Sequence, residues 1–242
     1  MRLFCLLLLA WSSVVTAETV TIAAEDAWPP FSDEQGMGLS YELASAAFAS
    51  QGLMLQTQSV PYARALNLAM SGEVDACWNV TRQASTEAVF LFGNEPLFRT
   101  SASFYYKRGK EKNYLSTADI PDGTRIAVIN GYEYGEAFEN NRARFQLVEV
   151  SKQKQMMALL QNERADMAIF FDLVFDFTIQ GSPYQPGQFS RGEINHISDI
   201  FIAFNRDNPR SAELAQALDT GLKVLHNDGR YDEIMGEDAS VF

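Results

Sequence analysis

The positions from 20 to 48 show a pattern that recurs along the chain: an alternating stretch, an irregular loop, and a stretch with helical spacing. Apolar and polar side chains alternate over 20–24, which predicts a short half-buried strand. Pro29 and Pro30 then interrupt regular structure, because proline lacks an N–H donor. Apolar residues recur at helical spacing over 39–47, and Ser40 is predicted to cap that helix.

The same order of elements appears a second time. The apolar run 126–129 predicts a strand, Asn130-Gly131-Tyr132 predicts a turn, and 134–139 predicts the start of a helix. The helix–break–strand pattern of 61–80 also recurs, at 154–170. The sequence therefore predicts two similar α/β lobes.

Two β-rich stretches are predicted to run between these lobes. Residues 101–107 and 197–205 are apolar and rich in residues that favour strands. Prolines and glycines over 182–192 predict a loop, and the pattern over 211–225 predicts a helix.

The N-terminus has the features of an export signal. Residues 1–17 combine a charge at Arg2, an apolar run over 3–11 and small residues before Glu18, which predicts a signal peptide cleaved after Ala17. The apolar run is too short to cross a bilayer. Cys77 is then the single cysteine of the mature chain, and we interpret it as a small buried hydrophobe. An exported chain without disulfides indicates a bacterial periplasm.

Charge and motifs exclude several classes of function. The chain has 19 basic and 31 acidic residues, and without Arg2 the mature net charge is −13, which argues against nucleic acid and anionic lipid as partners. The mature chain has two histidines, His196 and His226, and no GxSxG, HExxH, CxxC or glycine-rich phosphate loop. We therefore predict no enzyme, no metal site and no cofactor.

Candidate binding residues lie at the ends of predicted strands. The open sheets of α/β proteins bind ligands outside the carboxyl ends of their strands. Glu25 and Trp28 follow the first strand, and Trp78 and Asn79 lie near the end of the strand predicted over 74–80. Glu25 is a candidate acceptor for an ammonium or hydroxyl group.

Short motifs in a fixed order resemble those of bacterial periplasmic solute-binding proteins of family 3, which have the type II periplasmic-binding fold. The resemblance covers nearly the whole mature chain. The motifs are AWPPF at 27–31, Gly38 with YEL at 41–43, GEVDA at 72–76, ADIPDG at 118–123, NGYEYG at 130–135, RADMAI at 164–169 and GRYDEI at 229–234.

The resemblance implies an α/β fold of two Rossmann-like lobes joined by two hinge strands, the 101–107 and 197–205 stretches. Lobe 1 would comprise 18–103 plus 203–242, and lobe 2 would comprise 104–202. Members of the family capture small solutes, most often amino acids, in the cleft between the lobes. We accordingly expect a monomeric periplasmic protein that binds an amino acid or a related solute for an ABC permease of the inner membrane.

Two departures from the family pattern leave the solute open. The arginine that usually anchors the solute carboxylate corresponds to Thr86 here, and the aspartate that usually binds the amine corresponds to Phe171, with Asp172 one position later. Arg64 and Arg82 are the candidates to replace the missing arginine, because a guanidinium pairs bidentately with a carboxylate. Asp172 is the candidate amine ligand.

The resemblance also implies that Trp28 covers the solute. Asn130, Gly131 and Tyr132 precede a predicted helix, whose free N–H groups would favour an anion. Alternative roles stay open for every candidate: packing for the tryptophans, solvated or capping positions for the acids, and surface positions for the arginines.

Two other functions also stay open from the sequence. Some proteins of this fold, cyclohexadienyl dehydratases among them, are enzymes that use carboxylates and arginines of the cleft. A ligand sensor that docks to a membrane receptor would have the same cleft and differ only in its partner.

Overall fold

The computed structural model describes residues 18–239, so the signal peptide predicted at 1–17 lies outside the described residues. The strands are β1 (Thr19–Glu25), β2 (Met54–Val60), β3 (Ala76–Thr81), β4 (Phe90–Phe92), β5 (Phe98–Lys107), β6 (Arg125–Ile129), β7 (Gln146–Val150), β8 (Met167–Phe171) and β9 (Phe189–Asn205). The helices are α1 (Leu39–Ser50), α2 (Tyr62–Ser71), α3 (Ala84–Glu87), α4 (Glu136–Glu139), α5 (Gln153–Gln161), α6 (Asp172–Gln180), α7 (Ser211–Asp228) and α8 (Arg230–Ala239).

The strands pair in the order β2-β1-β3-β9-β5-β8-β6-β7, with β4 on β9. β2, β1 and β3 are parallel to one another, and so are β8, β6 and β7. The long strands β5 and β9 lie between these two groups and pair antiparallel to each other. Each parallel group with its helices is one lobe, and β5 and β9 are the two connections between lobes.

This topology places loops of both lobes face to face. The loop after β1 and the end of β3 belong to lobe 1, whereas the loop after β6 and the end of β8 belong to lobe 2. Glu25 at the end of β1 contacts Tyr132 after β6, and Trp28 contacts Phe171 at the end of β8. The carboxyl ends of the parallel strands in the two lobes therefore border one cleft.

The lobe cores are formed by apolar strand residues under amphipathic helices. Ile22 and Phe204 are fully buried in lobe 1, and Ile126 and Phe170 in lobe 2. α7 crosses α1 so closely that a Cβ at position 221 would lie 2.2 Å from the Ala47 carbonyl oxygen, which restricts that position to glycine.

The structure corrects the predicted cap of α1. The helix begins at Leu39, after Gly38, and no side chain caps it. Gly38 has φ +130°, and a Cβ there would lie 2.5 Å from the Pro30 carbonyl oxygen. The Ser40 hydroxyl instead donates a 2.6 Å hydrogen bond to Asn79 Oδ1, so the predicted role of Ser40 as N-cap is wrong.

Two predicted element boundaries also change. β9 begins at Phe189, because residues of the predicted loop pair with β5 at Ser190 and Arg191. The helix predicted after Tyr132 is the single turn Glu136–Glu139. Within residues 18–239, the helices are all too short or too polar to span a bilayer.

Candidate functional site

A cavity that is too tight to hold a water molecule lies between the lobes. Both lobes contribute to its walls, and four of its side chains are aromatic. The lining residues are Trp28, Tyr62, Asn79 and Thr81 from lobe 1, and Tyr132, Glu133 and Phe171 from lobe 2.

Trp28 forms one wall of this cavity. A tight turn fixes its position: the Trp28 N–H donates to the Ser32 carbonyl at 2.8 Å, and the Ser32 hydroxyl donates to the Glu25 carbonyl at 2.5 Å. The indole packs on Phe31, with ring centroids 4.8 Å apart, and meets the edge of Phe171 at 4.9 Å. Trp28 thus contributes both to lobe 1 packing and to the contact between lobes.

Asn79 reaches the cavity because β3 is irregular at this point. The pairing of β3 with β9 shifts register between Cys77 and Val80, and Asn79 has φ +65°. Asparagine tolerates this left-handed conformation better than most residues, and bulges re-aim side chains near functional sites. Since Ser40 donates to Oδ1, the amide nitrogen of Asn79 remains available as a donor.

Glu25 and Tyr132 form the first of two buried hydrogen bonds across the cleft. The Tyr132 hydroxyl donates to Glu25 Oε1, and Gln153 Nε2 donates to the Tyr132 oxygen at 3.3 Å. Burial raises the pKa of Glu25 to about 8, and the nearby Asp26 and Glu133 add to this rise. The Tyr132 bond opposes it by favouring the ionised carboxylate.

Glu133 and Tyr62 form the second bond, at 2.7 Å, with the tyrosine again the donor. Burial raises the pKa of Glu133 to about 8, whereas the Tyr62 bond lowers it. Tyr62 meets Tyr132 edge to face at 4.8 Å. Sequence reasoning did not select Tyr62 or Glu133 as site residues, although each follows the carboxyl end of a strand, where binding residues of this fold class lie.

The cleft region offers buried polar atoms that have no hydrogen-bond partner within the described residues. Two are donors, Trp28 Nε1 and Asn79 Nδ2, and two are acceptors, Glu25 Oε2 and Gln153 Oε1. All four side chains are at least 95% buried. Since buried polar groups are normally paired, these four atoms make the cleft a candidate place for hydrogen bonds to a solute.

Three residues predicted as ligands lie away from the cavity lining. Arg64 is exposed on α2. Arg82 is exposed and bonds to Glu87 at 2.6 Å. Trp78 is fully buried in the lobe 1 core, with its nearest aromatic neighbour, Tyr41, at 6.5 Å.

The predicted anion-receptive turn has a different arrangement. Asn130 and Gly131 are exposed, and Gly131 packs close to Ala63 at the start of α2. Tyr132 alone of the three lines the cavity. The following helix, α4, is a single turn with Glu136 and Glu139 in it, which disfavours an anion there.

Asp172 is occupied by a hydrogen-bond network outside the cavity lining. It accepts bonds from Ser101, Ser103 at 3.0 Å and Tyr105 at 2.9 Å on β5, and from Arg191 at 2.6 Å on β9. The hydrogen-bonding capacity of the Asp172 carboxylate is thus filled by residues of β5 and β9, the two strands that connect the lobes.

Thr86 occupies the position of the expected anchoring arginine. Its hydroxyl donates to the Thr81 carbonyl at 2.8 Å and accepts from the Gln83 N–H at 3.0 Å. Thr86 therefore fixes the turn after β3 and contributes no charge. Within residues 18–239, no three His, Cys, Asp or Glu side chains are grouped so that they could hold a metal ion.

Comparisons with known proteins agree with this fold. An amino acid ABC transporter substrate-binding protein, AbpA, from Streptococcus pneumoniae is similar with a TM-score of 0.74 and 20% identity, covering 91% of this chain and 94% of that one. A putative L-cystine ABC transporter protein from Listeria monocytogenes is similar at 0.76 and 18%, covering 93% and 98%. A histidine kinase sensor domain is similar at 0.77 and 17%, covering 90% and 94%.

A search of curated proteins gave no match. The predicted fold class is confirmed by these type II periplasmic-binding neighbours. The model of one family matches residues 20–237, which confirms the predicted resemblance and supports a solute-binding role. The chain belongs to the bacterial extracellular solute-binding proteins, family 3.

Proposed function

We propose that this protein captures a small polar solute, an amino acid or a related compound, between its lobes and delivers it to an ABC permease of the inner membrane. The observation that carries the proposal is the cavity at the carboxyl ends of both parallel strand groups, with buried polar atoms of both lobes at its walls. The neighbours described as amino acid transport proteins support the solute class and the permease.

The proposed binding residues come from both lobes. Trp28 and Asn79 would hold the solute from lobe 1, and Tyr132, Glu133 and Phe171 from lobe 2. Glu25 supports the site through Tyr132. Because Arg64, Arg82, Trp78 and Asp172 lie outside the lining, they are not included in this proposal.

The location and assembly of the protein are part of the same proposal. The signal sequence predicted at 1–17 would direct it to the periplasm, where it would act as a monomer. Lobe 1 as predicted, 18–103 plus 203–242, and lobe 2, 104–202, would move as two bodies about β5 and β9. The solute would leave the cleft chemically unchanged.

A screen of the purified mature chain tests the proposal. We expect at least one amino acid, amine or small carboxylate to raise the melting temperature, because a ligand of the native state stabilises it by mass action. Small-angle scattering should show compaction with that solute, and mass spectrometry should recover the solute unchanged. A screen without any stabilising solute would contradict binding, and a converted solute would indicate an enzyme instead.

A further inference from the structure

We propose that the cleft selects organic cations that lack a carboxylate, with the cationic group held by Glu133 and Glu25 among the aromatic side chains. This inference rests on the proposed function, since it names the solute class for the same cavity. A primary amine, a diamine or an amino amide has the required chemistry.

The charged side chains around the cavity are acidic. Glu133 lines the cavity, and Glu25 lies against two lining residues: it accepts a hydrogen bond from Tyr132, and the Asn79 amide is close enough to favour its ionised form. Both carboxyl groups are at least 92% buried. Among the described residues, no lysine or arginine contributes to the lining. Two buried acids without a cationic partner make the cavity receptive to positive charge.

Nearby basic side chains are held elsewhere. Lys152, at the mouth of the cleft, lies 3.3 Å from Glu34 and 3.9 Å from Asp26. Arg191 pairs with Asp172, and Arg82 pairs with Glu87. A solute carboxylate would therefore lose its water and gain no cationic partner from these residues. It would also lie beside two acidic groups, and unpaired charge in a buried site is costly.

The aromatic walls favour the same solutes. Trp28 and Phe171 meet at 4.9 Å, and Tyr62 and Tyr132 meet at 4.8 Å, so four rings surround a small volume. Tryptophan and tyrosine faces attract ammonium groups through the ring quadrupole. Carboxylates, in contrast, are repelled by ring faces.

The free donors suit a neutral acceptor. Trp28 Nε1 and Asn79 Nδ2 are buried and have no hydrogen-bond partner in the described part of the chain. A hydroxyl or an amide carbonyl oxygen on the solute would satisfy them without adding negative charge. The proposed class therefore includes amino amides and amino alcohols as well as simple amines.

Matched solutes that differ in the carboxylate provide the test. Mature protein, freed of co-purified solute by unfolding and refolding, is titrated with three sets: glycine, glycinamide and ethanolamine; L-ornithine, L-ornithinamide and putrescine; and L-arginine, L-argininamide and agmatine. In at least one set, both carboxylate-free members should bind at least about tenfold more tightly than the amino acid.

The inference is overturned if the amino acid binds as tightly as its partners in every set, which would leave the proposed function intact. It is also overturned if no carboxylate-free member binds at up to about 10 mM. The proposed function fails separately, if no solute of any class raises the melting temperature in the broader screen.

The affinity of a Glu133 variant for the preferred cation tests the role of this side chain directly. Glu133→Gln keeps the shape of the side chain and should weaken binding of the preferred cation by about tenfold or more. Glu42→Gln is the matched control, because Glu42 is an exposed acid on α1 outside the cavity lining, and it should change affinity by less than about twofold. Equal affinities in wild type and Glu133→Gln, with both folded by circular dichroism, would overturn the assignment of Glu133.

Discussion

Tyr62 and Glu133 are separated by 71 positions in the chain and meet across the cleft in a hydrogen bond of 2.7 Å. Tyr62 begins α2 in lobe 1, and Glu133 lies after β6 in lobe 2. The bond therefore reports on the contact between lobes as well as on local stability.

Tyr62→Phe should lower the free energy of unfolding by about 1–3 kcal/mol, because it leaves the buried Glu133 carboxyl without its donor. It should also increase the radius of gyration measured by small-angle scattering. Tyr231→Phe is the matched control, since the Tyr231 hydroxyl donates a 2.7 Å bond to the Leu97 carbonyl within lobe 1. The control should lose stability without a change in lobe separation. Unchanged scattering for Tyr62→Phe would contradict this role in closure.

Stability should fall as pH rises from about 6.5 to about 8. Burial raises the pKa of Glu25 and of Glu133 to about 8, from 4.5, so the folded state holds protons that the unfolded chain has already released. Each such proton lowers the free energy of unfolding by about 1.4 kcal/mol per pH unit. This dependence stops once the pH exceeds the pKa of the group in the folded state. Urea titrations at several pH values measure this slope.

Measurements above pH 6.5 report on Glu25 and Glu133 without a contribution from His196. Burial lowers the pKa of His196 to about 4 in the folded state. The stability that the neutral imidazole contributes is therefore lost only as pH falls below 6.5, the ordinary pKa of histidine. The double variant Glu25→Gln/Glu133→Gln should flatten the slope between pH 6.5 and 8. A slope that persists in this variant would assign the proton uptake to other groups.

Asp172→Asn should affect stability and spare solute binding. Asp172 accepts bonds from Tyr105 and Arg191, which lie on the two strands that connect the lobes, and loss of charge-assisted bonds costs about 1.5–3 kcal/mol. Asp176→Asn, on the same helix, is the control and should change the free energy of unfolding by less than about 0.5 kcal/mol. A large loss of solute affinity in Asp172→Asn would instead support the ligand role predicted from the sequence.

Lys152 should act as a weak latch at the cleft mouth. Its Nζ lies 3.3 Å from Glu34 across the cleft, and its side chain is 45% exposed, so the pair is worth about 0.2–1 kcal/mol. Lys152→Met should speed solute dissociation by at most about fivefold and reduce the dependence of that rate on salt. Lys154→Met, which removes an exposed charge from the first turn of α5, the helix that begins directly after Lys152, should leave the rate unchanged. Stopped-flow fluorescence measures both rates.

Local patterns were sufficient to predict most of the fold. Alternation over 20–24 predicted β1, and helical spacing predicted α1 and α7, because each element buries one face of its own residues. The cap at Ser40 failed, since its hydroxyl bonds to Asn79 on another element. The loop predicted over 182–192 was wrong at its C-terminal end for the same reason. Ser190 and Arg191 belong to a strand because they pair with β5, which is distant in the chain.

The site was less accessible to sequence reasoning. The sequence identifies Glu25, Trp28, Asn79 and Tyr132 as candidates because they lie at or after strand ends, a rule that depends on the fold class alone. The sequence does not identify Glu133 as a candidate, because its hydrogen bond is to Tyr62, which is 71 positions away in the chain. Arg64 and Arg82 were proposed on chemistry, and their exposure depends on side-chain directions that the sequence pattern does not specify.

The two hydrogen bonds of Thr86 constrain how this protein could be re-engineered or could evolve toward carboxylate-bearing solutes. The side chain is 5% exposed and links Thr81 to Gln83. An arginine introduced at this position would bring the missing charge, but it would also remove both bonds from a turn that borders the cleft. A switch of specificity therefore requires a second change that rebuilds the turn, and Thr86→Arg alone should yield a less stable protein rather than an amino acid receptor.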